Sequence, residues 1–334
     1  MRRFAAIALS ALILPAAASA AGESWAQPQI QSVVEAGLLA DSVAGFKPQG
    51  PLTQRALGGT LERLSFSSED VVDYRYRVVA PGRAVTIREL DAALVGFLEL
   101  GDSARSITGA LRAAGLAPKP GAGTETVARL LGLRFNHPAA TDALELGPDE
   151  PATRAEAAYS LARLLALSGW EQESVRAATA ALALPELTEV QRQVLRRAVS
   201  FVGAPYIWGG TSEAEQQLWD GKRVPGGFDC SGFVWRVFKL EPFPGASALA
   251  SVLRGRTTFE MSGEVPPGQR IRKPENLQPG DLIFQGALGP KSKPGQVDHA
   301  GIYLGGGWFV HSSGSGTTLH PFAGWYRDRF AWAR

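Results

Sequence analysis

Apolar residues in the first half of this chain return at helical spacing, and in the last third they give way to β-rich runs around a glycine triplet. Leu57, Leu61 and Leu64 follow Thr53; Leu90, Leu94, Phe97 and Leu98 follow Thr86; Leu161, Leu164 and Leu165 follow Thr153. Intervals of three and four residues put such side chains on one face of a helix. Farther on, residues 299–304 and 308–312 are β-rich and are separated only by Gly305, Gly306 and Gly307, which is a hairpin signal. The chain therefore reads as α+β, with a mainly helical first part. Its 334 residues, 45% of them hydrophobic, suffice for about two domains with real cores.

The first twenty residues form a separate unit. Arg2 and Arg3 are followed by an apolar stretch over residues 4–14, broken only by Ser10, and then by Ala18-Ser19-Ala20. That is the three-part pattern of a secretory signal peptide over residues 1–20; the competing reading is an uncleaved membrane anchor. Without Arg2 and Arg3 the basic and acidic side chains are equal in number. A neutral mature chain offers no electrostatic case for nucleic acid. The expectation is a secreted protein with no membrane partner after cleavage.

Export sharpens the meaning of the single cysteine. Cys230 has no partner for an internal disulfide, so it is a buried small hydrophobe, an intermolecular bridge or a reactive thiol. Cys230, Phe233, Val234 and Val237 share one helical face, and the glycines at 226 and 227 precede them. This places the thiol at a helix start, where free amides and the dipole favour thiolate. Asp229 is suited to cap that helix, and could alternatively face a substrate amine.

A nucleophile needs a base, and the hairpin carries two histidines. If all three glycines form the loop, Leu304 faces Trp308 and Gly301 faces His311, so His299 lies diagonally on the same face as His311. A two-residue turn is expected to put the two rings on opposite faces. In the first register His299 can act on Cys230 while His311 orients its other nitrogen, and Gly301 leaves space for a substrate backbone. Ordinary strand histidines, or a zinc site of Cys230, His299, His311 and Asp298, are the alternatives; no close-spaced ligand pair supports the metal. His137 and His320 read as surface or core residues.

Several segments together carry a family resemblance. In order they are residues 198–210 (AVSFVGAPYIWGG), residues 229–234 (DCSGFV), residues 277–284 (LQPGDLIF), residues 299–305 (HAGIYLG) and His311. The last ~145 residues resemble the NlpC family of papain-like bacterial cell-wall endopeptidases. The resemblance implies a papain-like domain, with helices packed on an antiparallel sheet, over 188–334. It implies Cys230 as nucleophile, His299 as base and His311 as the orienting residue. Tyr206, Asp229 and Ser231 match positions that help hold the stem peptide. The implied reaction is hydrolysis of the γ-D-glutamyl–diamino acid bond of peptidoglycan through an acyl-enzyme, in the cell wall or periplasm, without metal or cofactor. A noncatalytic wall-binding protein and a thiol-dependent amidase or acyltransferase are the competing functions. Residues 211–224 and 286–296 are longer than the family's usual connections and bear on substrate choice. Asp281 reads as a turn residue.

The first half restarts at Thr53, Thr86 and Thr153, at intervals too uneven for a regular array. These segments resemble degenerate S-layer homology modules, which bind cell-wall polysaccharide; Thr153-Arg154-Ala155-Glu156 keeps that family's pattern. The same Thr-x-x-Glu spacing at 86–89 and 153–156 is also a capping box. The expected boundaries are a signal peptide over 1–20, a helical wall-binding region over 22–170, a linker over 171–187 and the peptidase domain from 188.

Overall fold

Thr53, Thr86 and Thr153, remote in sequence, meet in space. The computed structural model describes residues 24–67, 74–137, 145–240 and 250–334; the signal-peptide expectation lies outside them. The Leu52 amide donates to the Ala152 carbonyl, Ala152 to Val85 and Val85 to Leu52, each at 2.8 Å, which closes a three-way ring of main chain. From this ring start α2 (Gln54–Ser67), α3 (Ile87–Phe97) and α6 (Arg154–Leu165). The uneven intervals that argue against a linear array are thus compatible with a closed triangle. Each threonine caps its helix by accepting a main-chain N–H, from Ala56, Glu89 and Glu156 respectively. The capping box is complete at Thr86, where Glu89 reaches back. At Thr153 it is only half made, because the Glu156 carboxylate goes instead to His137 Nε2 at 2.6 Å. His137 is accordingly a buried core residue.

Helices α1 (Gln27–Glu35), α4 (Gly101–Ala113), α5 (Ala122–Leu130) and α7 (Gly169–Ala180) complete the helical half, and α8 (Glu189–Ser200) leads into the second half. There, β5 (Leu282–Gly286), β6 (Val297–Gly305), β7 (Trp308–Ser313), β8 (Gly316–Pro321) and β9 (Phe330–Ala333) form one antiparallel sheet in the order β8-β7-β6-β5-β9. Helix α9 (Cys230–Trp235) packs against β6 and β7, burying Phe233 and Val234, and continues as a π-helical turn that buries Val237. A single buried apolar cluster runs through both halves, from Leu161 through Leu195 to Phe228 and Ile302. The opposite face of the sheet buries a smaller cluster around Phe309, Phe322 and Phe330.

The two long connections fold into local structure. Residues 211–224 belong to an arm of four two-residue strands, β1 (Thr211–Ser212) on β4 (Gly227–Phe228) and β2 (Gln216–Gln217) on β3 (Arg223–Val224). Gln216 braces the arm by accepting from the Thr211 amide at 2.7 Å and donating to the Gly227 carbonyl at 2.9 Å. Residues 286–296 become two short 3-10 turns.

One arginine, held in a buried network of charges, reaches from the first half to the second. Arg129, on α5, pairs with Glu125 at 2.7 Å and with Glu145 at 2.6 Å, and donates to the carbonyls of Ser315 at 2.6 Å and Gly203 at 3.3 Å. Arg134 joins Asp91 at 3.0 Å to Glu145 at 2.7 Å. All five charged side chains are buried. Burial outweighs the adjacent guanidinium at Asp91 and raises its pKa to about 7.

Candidate active site

The hairpin solves the register problem in a way that the sequence pattern does not suggest. Its turn has two residues, Gly306 and Gly307, with φ of 59° and 77°, as a primed turn requires. A plain two-residue turn would separate the histidines. Here a bulge between Tyr303 and Gly305 restores one residue, so Gly305 rather than Leu304 faces Trp308, while Gly301 still faces His311. The rings therefore share a face, and His299 Nε2 meets His311 Nδ1 at 2.9 Å. Gly301 leaves no room for substrate. A Cβ there would lie 2.7 Å from the Phe309 ring and 3.1 Å from His311 Cβ, so the glycine makes space for those two side chains.

His311 is fully buried and stacks on Phe309 with centroids 4.4 Å apart; Tyr326, from α11 (Gly324–Asp328), lies edge-on at 4.9 Å. His320 is not an isolated core residue. Its ring stands 5.8 Å from His311 and 4.6 Å from Tyr326, behind the pair. Its place on β8, across from Phe309, is decided by strand pairing and carries no local sequence signal. Gln285, which faces His299 across β5, fixes Tyr326 by donating to its carbonyl at 2.8 Å.

Cys230 opens α9 with only 8% of its surface exposed. Its Sγ lies against the main chain on both sides of His299, 3.9 Å from the Asp298 carbonyl and close to the Ala300 amide. Sulfur and imidazole are thus brought to the same segment of β6, although Sγ makes no hydrogen bond to the ring. Ser312, beside His311, donates to the Phe228 carbonyl at 2.7 Å and so ties the histidine strand to the lead-in of the cysteine helix. Gly232 permits the close approach of that helix to residue 210, since a Cβ would fall 1.9 Å from the Gly210 carbonyl.

Asp229 caps the helix as its sequence position suggests. Oδ1 accepts from the Gly232 amide and from the Ser231 hydroxyl, and Oδ2 accepts from the Gly209 amide at 2.9 Å. Arg256, which precedes α10 (Thr258–Gly263), completes this cluster by donating to Ser231 Oγ at 2.7 Å and to Asp229 Oδ2 at 3.4 Å. It is a residue of this cluster that sequence reading missed, because no local pattern ties it to Asp229 and Ser231. Burial, with Cys230 and Asp229 close by, holds the Tyr206 hydroxyl well above the usual phenol range. Asp281 closes a turn by accepting from the Gln278 amide at 2.7 Å. Among the described residues, no group of three or more His, Cys, Asp or Glu is arranged to hold a metal ion.

Burial weighs against a thiolate at the helix start. Burial first, and then the Asp229 carboxylate, push the Cys230 thiol up to about 12, outweighing the amides of Ala300, Ser231 and Cys230 itself. Burial likewise lowers His299 to about 4 and takes His311 well below its ordinary value. Both shifts favour the uncharged thiol and the uncharged imidazole. Raising the pH removes the thiol proton only in the alkaline range, so iodoacetamide alkylation of Cys230 is expected to rise by about tenfold per pH unit through pH 9. A plateau near pH 7, measured by intact-mass kinetics, would instead establish a thiolate–imidazolium pair.

Comparison with known proteins agrees with the C-terminal segments described above. The NlpC/P60 family matches residues 203–332. The γ-D-glutamyl-L-lysine dipeptidyl-peptidase of Bacillus subtilis is 28% identical over 126 residues, covering 38% of this chain and 33% of that protein. The peptidoglycan endopeptidase RipB of Mycobacterium tuberculosis is 36% identical over 123 residues, covering 36% of this chain and 43% of the relative. The chain thus spans less than half the length of these relatives. A solved P60 domain from M. avium subspecies paratuberculosis shares 28% identity with a TM-score of 0.32, covering 43% of this chain and 93% of that one. The C-terminal part of this chain, residues 203–332, matches the NlpC/P60 family and folds as helix α9 packed on a five-stranded antiparallel sheet.

Proposed function

We propose that the chain is a secreted cysteine endopeptidase that hydrolyses peptidoglycan stem peptides at the γ-D-glutamyl–diamino acid bond. One observation carries the reading: Cys230 Sγ lies against residues 298–300 while His299 is hydrogen-bonded from behind by His311. If His299 Nε2–H donates to His311 Nδ1, the Nδ1 of His299 is left as an acceptor, which is the tautomer a base requires. Sγ attacks the carbonyl carbon as its proton passes to His299, and the Cys230 amide donates to the developing oxyanion. The imidazolium then protonates the departing amine as the C–N bond breaks. Water, deprotonated by His299, attacks the thioester, and the thiol recovers its proton. Asp229, Ser231, Tyr206 and Arg256 form the polar wall beside the sulfur and are assigned to binding the stem peptide.

The burial of Sγ, with no hydrogen bond to the imidazole, favours the second reading, a noncatalytic wall-binding protein. Product analysis separates the two. Purified muropeptides are expected to yield fragments with a new amine on the diamino acid, read by mass spectrometry; failure to cut any stem-peptide linkage overturns the peptidase, and a transferred acyl group points to the acyltransferase alternative. For the helical half, a polysaccharide-binding role is supported by its Thr-Arg-Ala-Glu segment. Retention on cell walls stripped of stem peptides tests that role.

A further inference from the structure

We propose that Asn136, in the helical half, is a positioning residue for the catalytic groove, holding Tyr206 in place beside Cys230 through the Tyr206 main chain. The inference rests on the reading of Cys230 as nucleophile. Asn136 Oδ1 accepts from the Tyr206 amide at 2.6 Å, and Asn136 Nδ2 donates to the Tyr206 carbonyl at 3.3 Å. The flanking groups point the other way. Phe228 donates to the Pro205 carbonyl and accepts from the Ile207 amide, both at 3.1 Å, in a parallel bridge between Tyr206 and Phe228. The segment before the Trp-Gly-Gly stretch therefore lies between a strand that ends two residues before the thiol and a single amide side chain that serves as its outer strand. Removing that amide leaves both polar main-chain groups of Tyr206 without their protein partner, in a part-buried setting where such loss is costly.

The side chain that does this is itself firmly placed. Phe135 stacks on Trp25 with centroids 4.9 Å apart and an 8° angle, and His137 packs edge-on against Trp25 at 4.3 Å while bonding Glu156. Asn136 is presented from between these two anchored neighbours. Arg129 adds a second grip, on the Gly203 carbonyl before Tyr206 and on the Ser315 carbonyl in the turn after β7, the strand of His311. Both contacts from the helical half fall on main chain that leads to a groove residue. The first half is thereby part of the machinery that shapes the site, whatever else it binds.

A double-mutant cycle in the full-length protein tests this. Asn136→Ala is expected to lower kcat on stem peptide by about tenfold while KM stays within about twofold, because a misplaced groove residue costs rate more than ground-state affinity. Asn136→Asp, which keeps the acceptor for the Tyr206 amide and loses the donor, is expected to fall between Asn136→Ala and wild type. In a Tyr206→Phe background the effect of Asn136→Ala should shrink to under about twofold, since residues acting through one another are not additive. Unchanged kcat in Asn136→Ala, or a full tenfold loss that persists in Tyr206→Phe, overturns the proposal. If Asn136→Ala fails to fold, Asn136→Asp carries the same cycle. If wild type cleaves nothing, the peptidase reading fails by itself, and the rate of Cys230 alkylation at pH 9 then decides between coupling and its absence across the same four proteins.

Discussion

Cys230→Ala is expected to abolish stem-peptide hydrolysis, with a loss of about 10⁴-fold or more in kcat and an unchanged fold. The sulfur is the single nucleophile in the proposed scheme, and removing a nucleophile leaves only the residual acceleration of binding and oxyanion contacts. The variant deletes one buried sulfur beside the main chain of residues 298–300, a loss that costs stability of about 1 kcal/mol. Affinity should survive, because Asp229, Ser231 and Arg256 remain hydrogen-bonded to one another. The measurement is product formation by mass spectrometry together with peptide binding by calorimetry. Wild-type rates in Cys230→Ala would remove the cysteine mechanism altogether. Retained binding with lost cleavage would separate chemistry from recognition.

Arg129→Ala is expected to produce the largest loss of stability, about 3–5 kcal/mol, because it strips a buried guanidinium from carboxylates that cannot reach water. Arg134 still pairs with Glu145, but Glu125 loses its 2.7 Å partner and the carbonyls of Gly203 and Ser315 lose their donors. A lysine at this position is expected to recover only part of the loss, since one ammonium cannot span two carboxylates and two carbonyls. Urea denaturation provides the test, with the midpoint falling and the two halves losing their shared transition. A change below about 1 kcal/mol would mean that the network carries little of the fold. Because Gly203 and Ser315 lie near Tyr206 and His311, activity should fall as well, in the variant that remains folded at low temperature.

Much of the site was legible along the chain because the relevant signals are local. The stripe of Cys230, Phe233, Val234 and Val237 predicts a helix with the thiol at its opening, and α9 with its buried face follows. The cap at Asp229 is likewise a matter of three residues. The pairing of Gly301 with His311 was also readable, but the reason was not: a bulge between Tyr303 and Gly305 offsets a two-residue turn. The surroundings of the thiol were only half readable for a related reason. Helix-start amides are visible in a sequence, whereas the burial that outweighs them is a property of the packed groove.

Asn136, Arg129, Arg256 and His320 were beyond sequence reading. The first three act across long stretches of chain, such as the 70 residues between Asn136 and Tyr206 or the 186 between Arg129 and Ser315, while His320 is placed by the pairing of β7 with β8. Periodicity and motif spacing report on neighbours within a few positions and carry nothing about such encounters.

By itself, the order of residues determined which segments become helices and strands, where the lone thiol sits and which two imidazoles share its strand pair. Tertiary packing alone decided that the main chain before three distant threonines closes a ring, that the helical half grips the groove through Asn136 and Arg129, and that the sulfur is buried against residues 298–300. The division has a physical cause. Local structure follows from side-chain preferences and short hydrogen bonds, while proximity across the chain and the loss of solvent around a charge exist only once the two halves have packed together.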